Sequence, residues 1–271
     1  MELNGRLAEL KARGLGVAAL SYDSPAILAD FTRRRSIDFP LLSDAGSKTI
    51  RAFGLLNTTI APTDTNYGIP FPGTFIVDVN GIVRERYFET AFQERRTVAS
   101  LLRLDRPGAT AATQSTTDHL RVVSYASDET VAPGTVFSLE AEITPGEGIH
   151  VYAPGQHSYR VVSIEIDPLP LLKATRATVY PASEIYNFVP LNERVAVYQK
   201  PFRLTREVVF DASAAAQEQL RTVHEATITG RLEYQACSAT ICFVPVTVPL
   251  SWTVKLRTLD RERALVAPST P

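Results

Sequence analysis

Cys237 and Cys242 are the only thiols in this chain of 271 residues. They lie in Tyr234-Gln-Ala-Cys-Ser-Ala-Thr-Ile-Cys-Phe-Val-Pro245, between two runs of alternating apolar residues. The spacing predicts a turn at the tip of a hairpin, where two Cα atoms can approach the roughly 5.5 Å that a disulfide needs. A bridge closing so short a ring adds only about 2 kcal/mol by loop entropy, and the hairpin ladder already closes the loop. A permanent staple is therefore one reading. A pair that is made and broken is the other, because a loop tip is where an incoming thiolate can reach a sulfur. A metal site is disfavoured: the four histidines, at 119, 150, 157 and 224, supply no ligand pair at a recognisable spacing beside the cysteines. No metal or other cofactor is expected.

Other residues are weaker candidates. His150 and His157 bracket His-Val-Tyr-Ala-Pro-Gly-Gln-His and read as solvated or turn-capping side chains without a role. Tyr186 and Phe188, in Ser183-Glu-Ile-Tyr-Asn-Phe-Val-Pro190, are large aromatics flanked by proline. They either pack in an ordinary core or form an apolar cap over the sulfurs.

The elements that must hold the cysteines belong to an all-β region. From Asp118 onward, short alternating runs recur between turn residues, as at Val136 to Ile143, Arg160 to Ile166 and Arg194 to Tyr198. In the last hairpin Ala226, Ile228, Leu232 and Tyr234 alternate with polar residues, and Val244, Val246, Val248, Leu250, Trp252 and Val254 do likewise. A β-sandwich over 118–258 is expected, followed by a tail at 259–271. Residues 106–117 have no periodicity and little to bury, the composition of a flexible linker.

Residues 1–105 read differently. Leu3, Leu7 and Leu10 form one stripe of an amphipathic helix that stops at Gly14, and Gly16 to Tyr22 is an apolar run suited to a strand buried on both faces of a parallel sheet. Asp23-Ser24-Pro25 caps a second helix that ends at Arg33-Arg34-Arg35. A strand at Phe39 to Asp44, a helix from Lys48 to Phe53, a hairpin turning at Asn80-Gly81 and a helix near Gln93 to Leu102 follow. The sequence begins inside the first helix.

A formal charge of −1, from 28 basic and 29 acidic residues, gives no footprint for nucleic acid or anionic membrane. No apolar stretch approaches the roughly 20 residues of a membrane span, and residues 1–20 lack the layout of a signal peptide.

Two resemblances sharpen these readings. Residues 118–258, through Ile149-His-Val-Tyr-Ala-Pro154, Ser183-Glu-Ile-Tyr186 and Tyr234-Gln-Ala-Cys237…Cys242-Phe-Val-Pro245, resemble the N-terminal periplasmic domain of the DsbD thiol:disulfide interchange family. That resemblance implies an immunoglobulin-like sandwich in which Cys237 and Cys242 are the catalytic pair, capped near Tyr186 and Phe188. It also implies thioredoxin-like or DsbD-like redox partners and a periplasmic or otherwise extracytoplasmic location.

Residues 1–105, through Gly14-Leu-Gly-Val-Ala-Ala-Leu-Ser-Tyr-Asp-Ser-Pro25, Phe39-Pro-Leu-Leu-Ser-Asp44 and Phe71-Pro-Gly-Thr-Phe-Ile-Val-Asp78, resemble the redoxin branch of the thioredoxin fold, which includes AhpC/TSA peroxiredoxins. Pro72 then takes the place of that fold's cis-proline. The family's first strand and reactive cysteine would precede the first helix, so a redoxin domain lacking its first strand is expected, without peroxidase activity in the chain as given. The combined expectation is a thiol–disulfide oxidoreductase or redox relay working through Cys237 and Cys242. The alternatives are a non-catalytic protein-binding module with a structural disulfide and a degenerate redoxin domain, and a role in peroxide defence for a chain extended upstream.

Overall fold

Local capping explains the first elements. Ser24 has extended backbone (φ −66°, ψ 156°) and its hydroxyl accepts from the Ile27 N–H, while Pro25 occupies the first helical position. Asp44 accepts from the Lys48 and Ile50 amides at 3.0 and 2.9 Å. These amide hydrogen bonds, that to Ile50 foremost, hold its carboxyl below the usual carboxylate range. The computed structural model describes residues 2–65, 67–88, 95–99, 112–174, 176–188 and 192–258, and its compact units divide between Val98 and Ala99.

The first unit contains α1 (Glu2–Gly5), α2 (Leu7–Ala12), β1 (Ala19–Ser21), α3 (Pro25–Arg35), β2 (Leu41–Ser43), α4 (Lys48–Ala52), β3 (Gly73–Val77), β4 (Val83–Phe88) and β5 (Arg95–Arg96). The single amphipathic helix read from Leu3, Leu7 and Leu10 is broken at Arg6, although its stripe holds: Leu7 is buried with Ile37 and Phe39, and Leu3 packs against them. β1 and β2 pair in parallel with Leu20 opposite Leu42. Contrary to the expectation of a strand buried on both faces, both leucines are exposed, because among the described residues β1 and β2 form a sheet of only two strands. β3 and β4 form the expected hairpin, with Gly81 at φ +79°. Pro72 stands immediately before β3 as read. Its peptide bond is trans, however, since no cis bond occurs among the described residues; trans is favoured before proline by about 0.5–1 kcal/mol unless packing selects otherwise. Of the helix expected over 93–102, only 95–99 is described: Arg95–Arg96 is a strand, and residues 98–99 are helical.

The second unit contains β6 (Thr113–Thr116), β7 (Leu120–Ala126), β8 (Thr130–Val131), β9 (Thr135–Pro145), β10 (His150–Tyr152), β11 (Ser163–Ile166), β12 (Leu172–Ala174), β13 (Glu184–Phe188), β14 (Glu193–Tyr198), β15 (Phe202–Phe210), α5 (Ala214–Leu220), β16 (Glu225–Tyr234), β17 (Ala236–Cys237) and β18 (Val246–Leu256). Among the described residues these strands form three sheets, with strand orders β12-β15-β9-β7-β6, β11-β16-β18-β8 and β13-β14-β10-β17. The alternation in β16 and β18 buries Ile228, Leu232, Tyr234, Val248, Leu250, Trp252 and Val254 in one core with Phe137, Leu139, Ile143 and Leu204. Each such fully buried large side chain contributes about 1.5–3 kcal/mol. Val244 falls outside this pattern at 79% exposed, because β18 begins at Val246. Gly230 faces inward where β16 meets β11, and a Cβ there would lie 2.3 Å from the Glu165 carbonyl oxygen.

The linker expected over 106–117 is described only from residue 112, where Thr113–Thr116 is a strand paired with β7. Its mostly exposed side chains need no apolar alternation, and threonine favours extended backbone. The tail at 259–271 lies outside the described residues.

Candidate functional site

The expected hairpin changes sheets before it reaches the cysteines. β16 pairs with β18 as far as Tyr234↔Val246, and after Gln235 the chain turns into β17, which pairs with β10 in a different sheet. Gln235 secures this switch: its Nε2 donates to the Phe243 carbonyl at 3.1 Å and its Oε1 accepts from the Arg160 amide at 3.2 Å. The return arm pairs through Cys237↔Cys242, flanked by Phe243 N–H to Ala236 O at 2.9 Å and Ser238 N–H to Ile241 O at 2.8 Å. Cross-strand pairs not joined by their own hydrogen bonds have Cα atoms about 4.5 Å apart; here the separation is 4.1 Å, and the two sulfurs are bonded. The Ser238 hydroxyl closes the turn by accepting from the Thr240 and Ile241 amides at 3.2 and 3.0 Å. Backbone and turn thus hold the cysteines together independently of the S–S bond.

The two sulfurs differ in access. Cys237 is 0% exposed, whereas Cys242 is exposed, with Ile241 (58%) and Val244 (79%) standing into solvent beside it. Cys237 packs with Tyr152, Val195 and Val197, a small apolar cluster on which Tyr159 and Tyr186 rest.

Tyr152 is the polar centre of this cluster. Its hydroxyl lies 2.9 Å from Cys237 Sγ and 3.4 Å from Cys242 Sγ, and donates to them while they are bonded, since disulfide sulfurs carry no proton. Burial, then the neighbouring Tyr159, Glu193 and Tyr186, push the phenol far above the usual tyrosine range, so it keeps its proton. Tyr159 stacks on Tyr152 with ring centroids 4.2 Å apart and planes 4° from parallel, and its own hydroxyl donates to Glu193 Oε2 at 2.6 Å. A groove of about 630 Å³ runs alongside, with Tyr159, Gln235 and Pro245 in its wall.

The residues singled out in the sequence are partly brought together. Cys237 and Cys242 meet. Tyr186 reaches the site by lying over His150, ring centroids 4.4 Å apart, while the Phe188 side chain lies outside what is described and Pro72 belongs to the other unit. His150 and His157, given no role from sequence, both flank Tyr152, at 5.6 and 5.3 Å between ring centroids. The missed signal is the period of two in Ile149-His-Val-Tyr: it puts His150 and Tyr152 on one face, but not opposite any known partner. Among the described residues no group of three or more His, Cys, Asp or Glu side chains could hold a metal ion.

The Tyr152 hydroxyl should matter most when a sulfur carries charge. A hydrogen bond to a thiolate is stronger than one to a bonded sulfur, so Tyr152→Phe should raise the thiol pKa values of the dithiol form. With about 1 kcal/mol lost, alkylation of the dithiol near neutral pH should slow roughly fivefold. An unchanged alkylation profile against pH would remove Tyr152 from the chemistry.

Comparison with known proteins gives a family match and structural neighbours. Residues 1–86 match the AhpC/TSA family, so the first unit resembles that family. The structure is similar to the N-terminal periplasmic domain of ScsB from Proteus mirabilis, at 16% identity and a TM-score of 0.36 over 53% of this chain and 51% of that one. It is also similar to the Neisseria meningitidis DsbD N-terminal domain in the reduced form, at 13% identity and a TM-score of 0.30 over 55% of this chain and 94% of that one. The chain therefore spans about half the length of the ScsB domain. No curated protein matches it.

Proposed function

We propose that this protein is a thiol–disulfide oxidoreductase whose Cys237–Cys242 pair cycles between disulfide and dithiol by exchange with a thioredoxin-type dithiol protein. The observation that carries this reading is the pairing of an exposed Cys242 with a buried Cys237 on a turn that the backbone closes by itself. A donor thiolate attacks Cys242 Sγ. The S–S bond breaks, its electron pair passes to Cys237 Sγ beside the Tyr152 hydroxyl, and a mixed disulfide joins donor and Cys242. The donor's second thiolate then attacks the donor sulfur of that bond and releases Cys242 as a thiolate. The donor is oxidised by two electrons, the pair is reduced by two, and two protons complete the dithiol. Ile241 and Val244 beside Cys242 give the partner an apolar surface that excludes water around the reacting sulfurs.

The rest of the chain fits this role as a carrier. We read residues 118–258 as an immunoglobulin-like sandwich, joined to a redoxin-like domain at 1–105 and working in an extracytoplasmic compartment where exchange partners meet it. Residues 1–98 contain no cysteine, so peroxide or disulfide attack by that unit has no thiolate to start from. No helix among the described residues is long and apolar enough to cross a membrane.

The reduction potential of the pair, measured by equilibration with glutathione or dithiothreitol buffers and counting of free thiols, tests the proposal. A value above about −270 mV is expected of an exchange protein. One well below about −300 mV would make the bridge a staple and leave a binding module in its place.

A further inference from the structure

Residues directly opposite in an antiparallel ladder project to one face, with Cβ atoms about 4.5–5.5 Å apart. His150 stands opposite Cys237 in the β10–β17 ladder, so the imidazole and the buried sulfur share a face of the sheet. The ring is 1% exposed, and its Nε2 is buried without a hydrogen-bond partner. A buried polar atom left so costs about 1–3 kcal/mol, a cost that persists where a second state of the site repays it.

The groups around the ring narrow what that state is. Tyr152, on its own strand, meets it edge to face, and Tyr186 of β13 lies over it at 4.4 Å. Further out, the Tyr159 hydroxyl is bound to Glu193, and His157 Nε2 is bound to the Ala153 carbonyl at 2.8 Å. Both tyrosines flanking the ring keep the same covalent form throughout exchange. Cys237 does not: it alternates between a bonded sulfur, which offers no proton, and a thiol, which does.

Resting on the reading of the pair as an exchange site, we infer that His150 is the proton acceptor for Cys237. In the disulfide its Nε2 waits unpaired; in the dithiol it accepts the Cys237 S–H hydrogen bond. When the dithiol reduces an oxidised partner, the Cys242 thiolate attacks the partner disulfide, forming a mixed disulfide and releasing one partner thiolate. Cys237 then gives its proton to Nε2 as its sulfur attacks Cys242 Sγ, closing the bridge and releasing the second partner thiolate. Two electrons pass from the dithiol to the partner disulfide, and the proton on His150 leaves to the released thiolate or to water. Burial lowers the proton affinity of His150 below that of an ordinary histidine, so the ring is neutral at pH 7 and Nε2 can carry a lone pair.

The test follows single-turnover oxidation of the full-length dithiol protein by glutathione disulfide between pH 5 and 8, the range in which histidine titrates. His150→Phe keeps the bulk without a nitrogen, and His150→Gln keeps polarity without basicity. In both, the closing step at pH 7 should slow at least about tenfold and lose the wild-type inflection on the acid side of the ordinary histidine pKa. The first step, attack by Cys242, should be unchanged. A merely structural role would not separate the two steps, and equal closing rates with equal pH profiles overturn the inference. Should the variants not fold, the imidazole nitrogen resonances of wild-type His150 decide: they shift between disulfide and dithiol if Nε2 takes the thiol proton, and stay fixed if it does not. A wild-type pair that fails to exchange with glutathione at all overturns the exchange reading itself, whereas intact exchange with indifferent His150 variants overturns this step alone.

Discussion

Cys237→Ser protein mixed with glutathione disulfide should accumulate a mixed disulfide on Cys242, while Cys242→Ser should form its adduct on Cys237 roughly 100-fold more slowly. The difference follows from access. Cys242 stands in solvent at the turn, whereas Cys237 is sealed by Tyr152, Val195 and Val197. A reagent as large as glutathione reaches Cys237 only after local opening, and about 3 kcal/mol of opening, within the range of sub-global fluctuations, gives about two decades of rate. Intact mass spectrometry after acid quench reads both adducts directly. Equal rates would mean that the two sulfurs are equivalent to an incoming thiolate and would sink the assigned order of attack. An inert Cys237→Ser protein would remove Cys242 as the point of entry. Either double exchange partner, thiol or disulfide, sees the same asymmetry, because exchange in both directions passes through the same mixed disulfide.

What the sequence made legible follows from where the information is local. The cap at Ser24 and the Gly81 turn need only neighbours along the chain, and they form as the sequence predicts. The alternation of Ile228, Leu232 and Tyr234, and of Val248, Leu250 and Trp252, is also local, and it marks the two strands that pair as β16 and β18 with these residues buried. The cysteine pair was legible for the same reason, being close in sequence. Its environment was not. Nothing in Tyr234-Gln-Ala-Cys237 announces that Gln235 ends one sheet and starts another, since that depends on Arg160 and Phe243 being there to hold its amide. With the switch unread, Tyr152 and His150 had no reason to be near a sulfur some 85 positions away. Likewise composition alone predicts that β1 is buried on both faces, but burial is decided by which layers cover a sheet, and Leu20 and Leu42 are exposed. Thr113–Thr116 shows the converse: an edge strand with no apolar face leaves no period to detect.

The core that carries the site should be far more sensitive to Trp252 than to any residue of the turn. Trp252 is the chain's single tryptophan, fully buried in β18 opposite Ile228. Its indole N–H donates to the Glu140 carbonyl at 3.0 Å, tying the β16–β18 sheet to β9 in the sheet packed against it. Trp252→Ala removes a large, fully buried side chain and one donor to a carbonyl that still faces Tyr125 in the β7–β9 ladder, so about 3–5 kcal/mol should be lost from packing and about 1 kcal/mol more from the hydrogen bond. Against a total of about 5–15 kcal/mol for a domain, that leaves the β unit marginal. Trp252→Phe restores most of the volume without the donor and should lose roughly 0.5–1.5 kcal/mol, mostly the hydrogen bond. Urea unfolding followed by far-ultraviolet circular dichroism measures both, while the intrinsic fluorescence of the wild type reports on this unit by itself. Molecules that remain folded should still exchange at the wild-type rate, because the backbone bonds flanking Cys237 and Cys242 and the Ser238 turn do not pass through Trp252. A loss below about 1 kcal/mol for Trp252→Ala would mean that the two sheets are not held together through this residue. An exchange rate that collapses while the fold survives would mean that the turn is positioned by the core rather than by its own ladder.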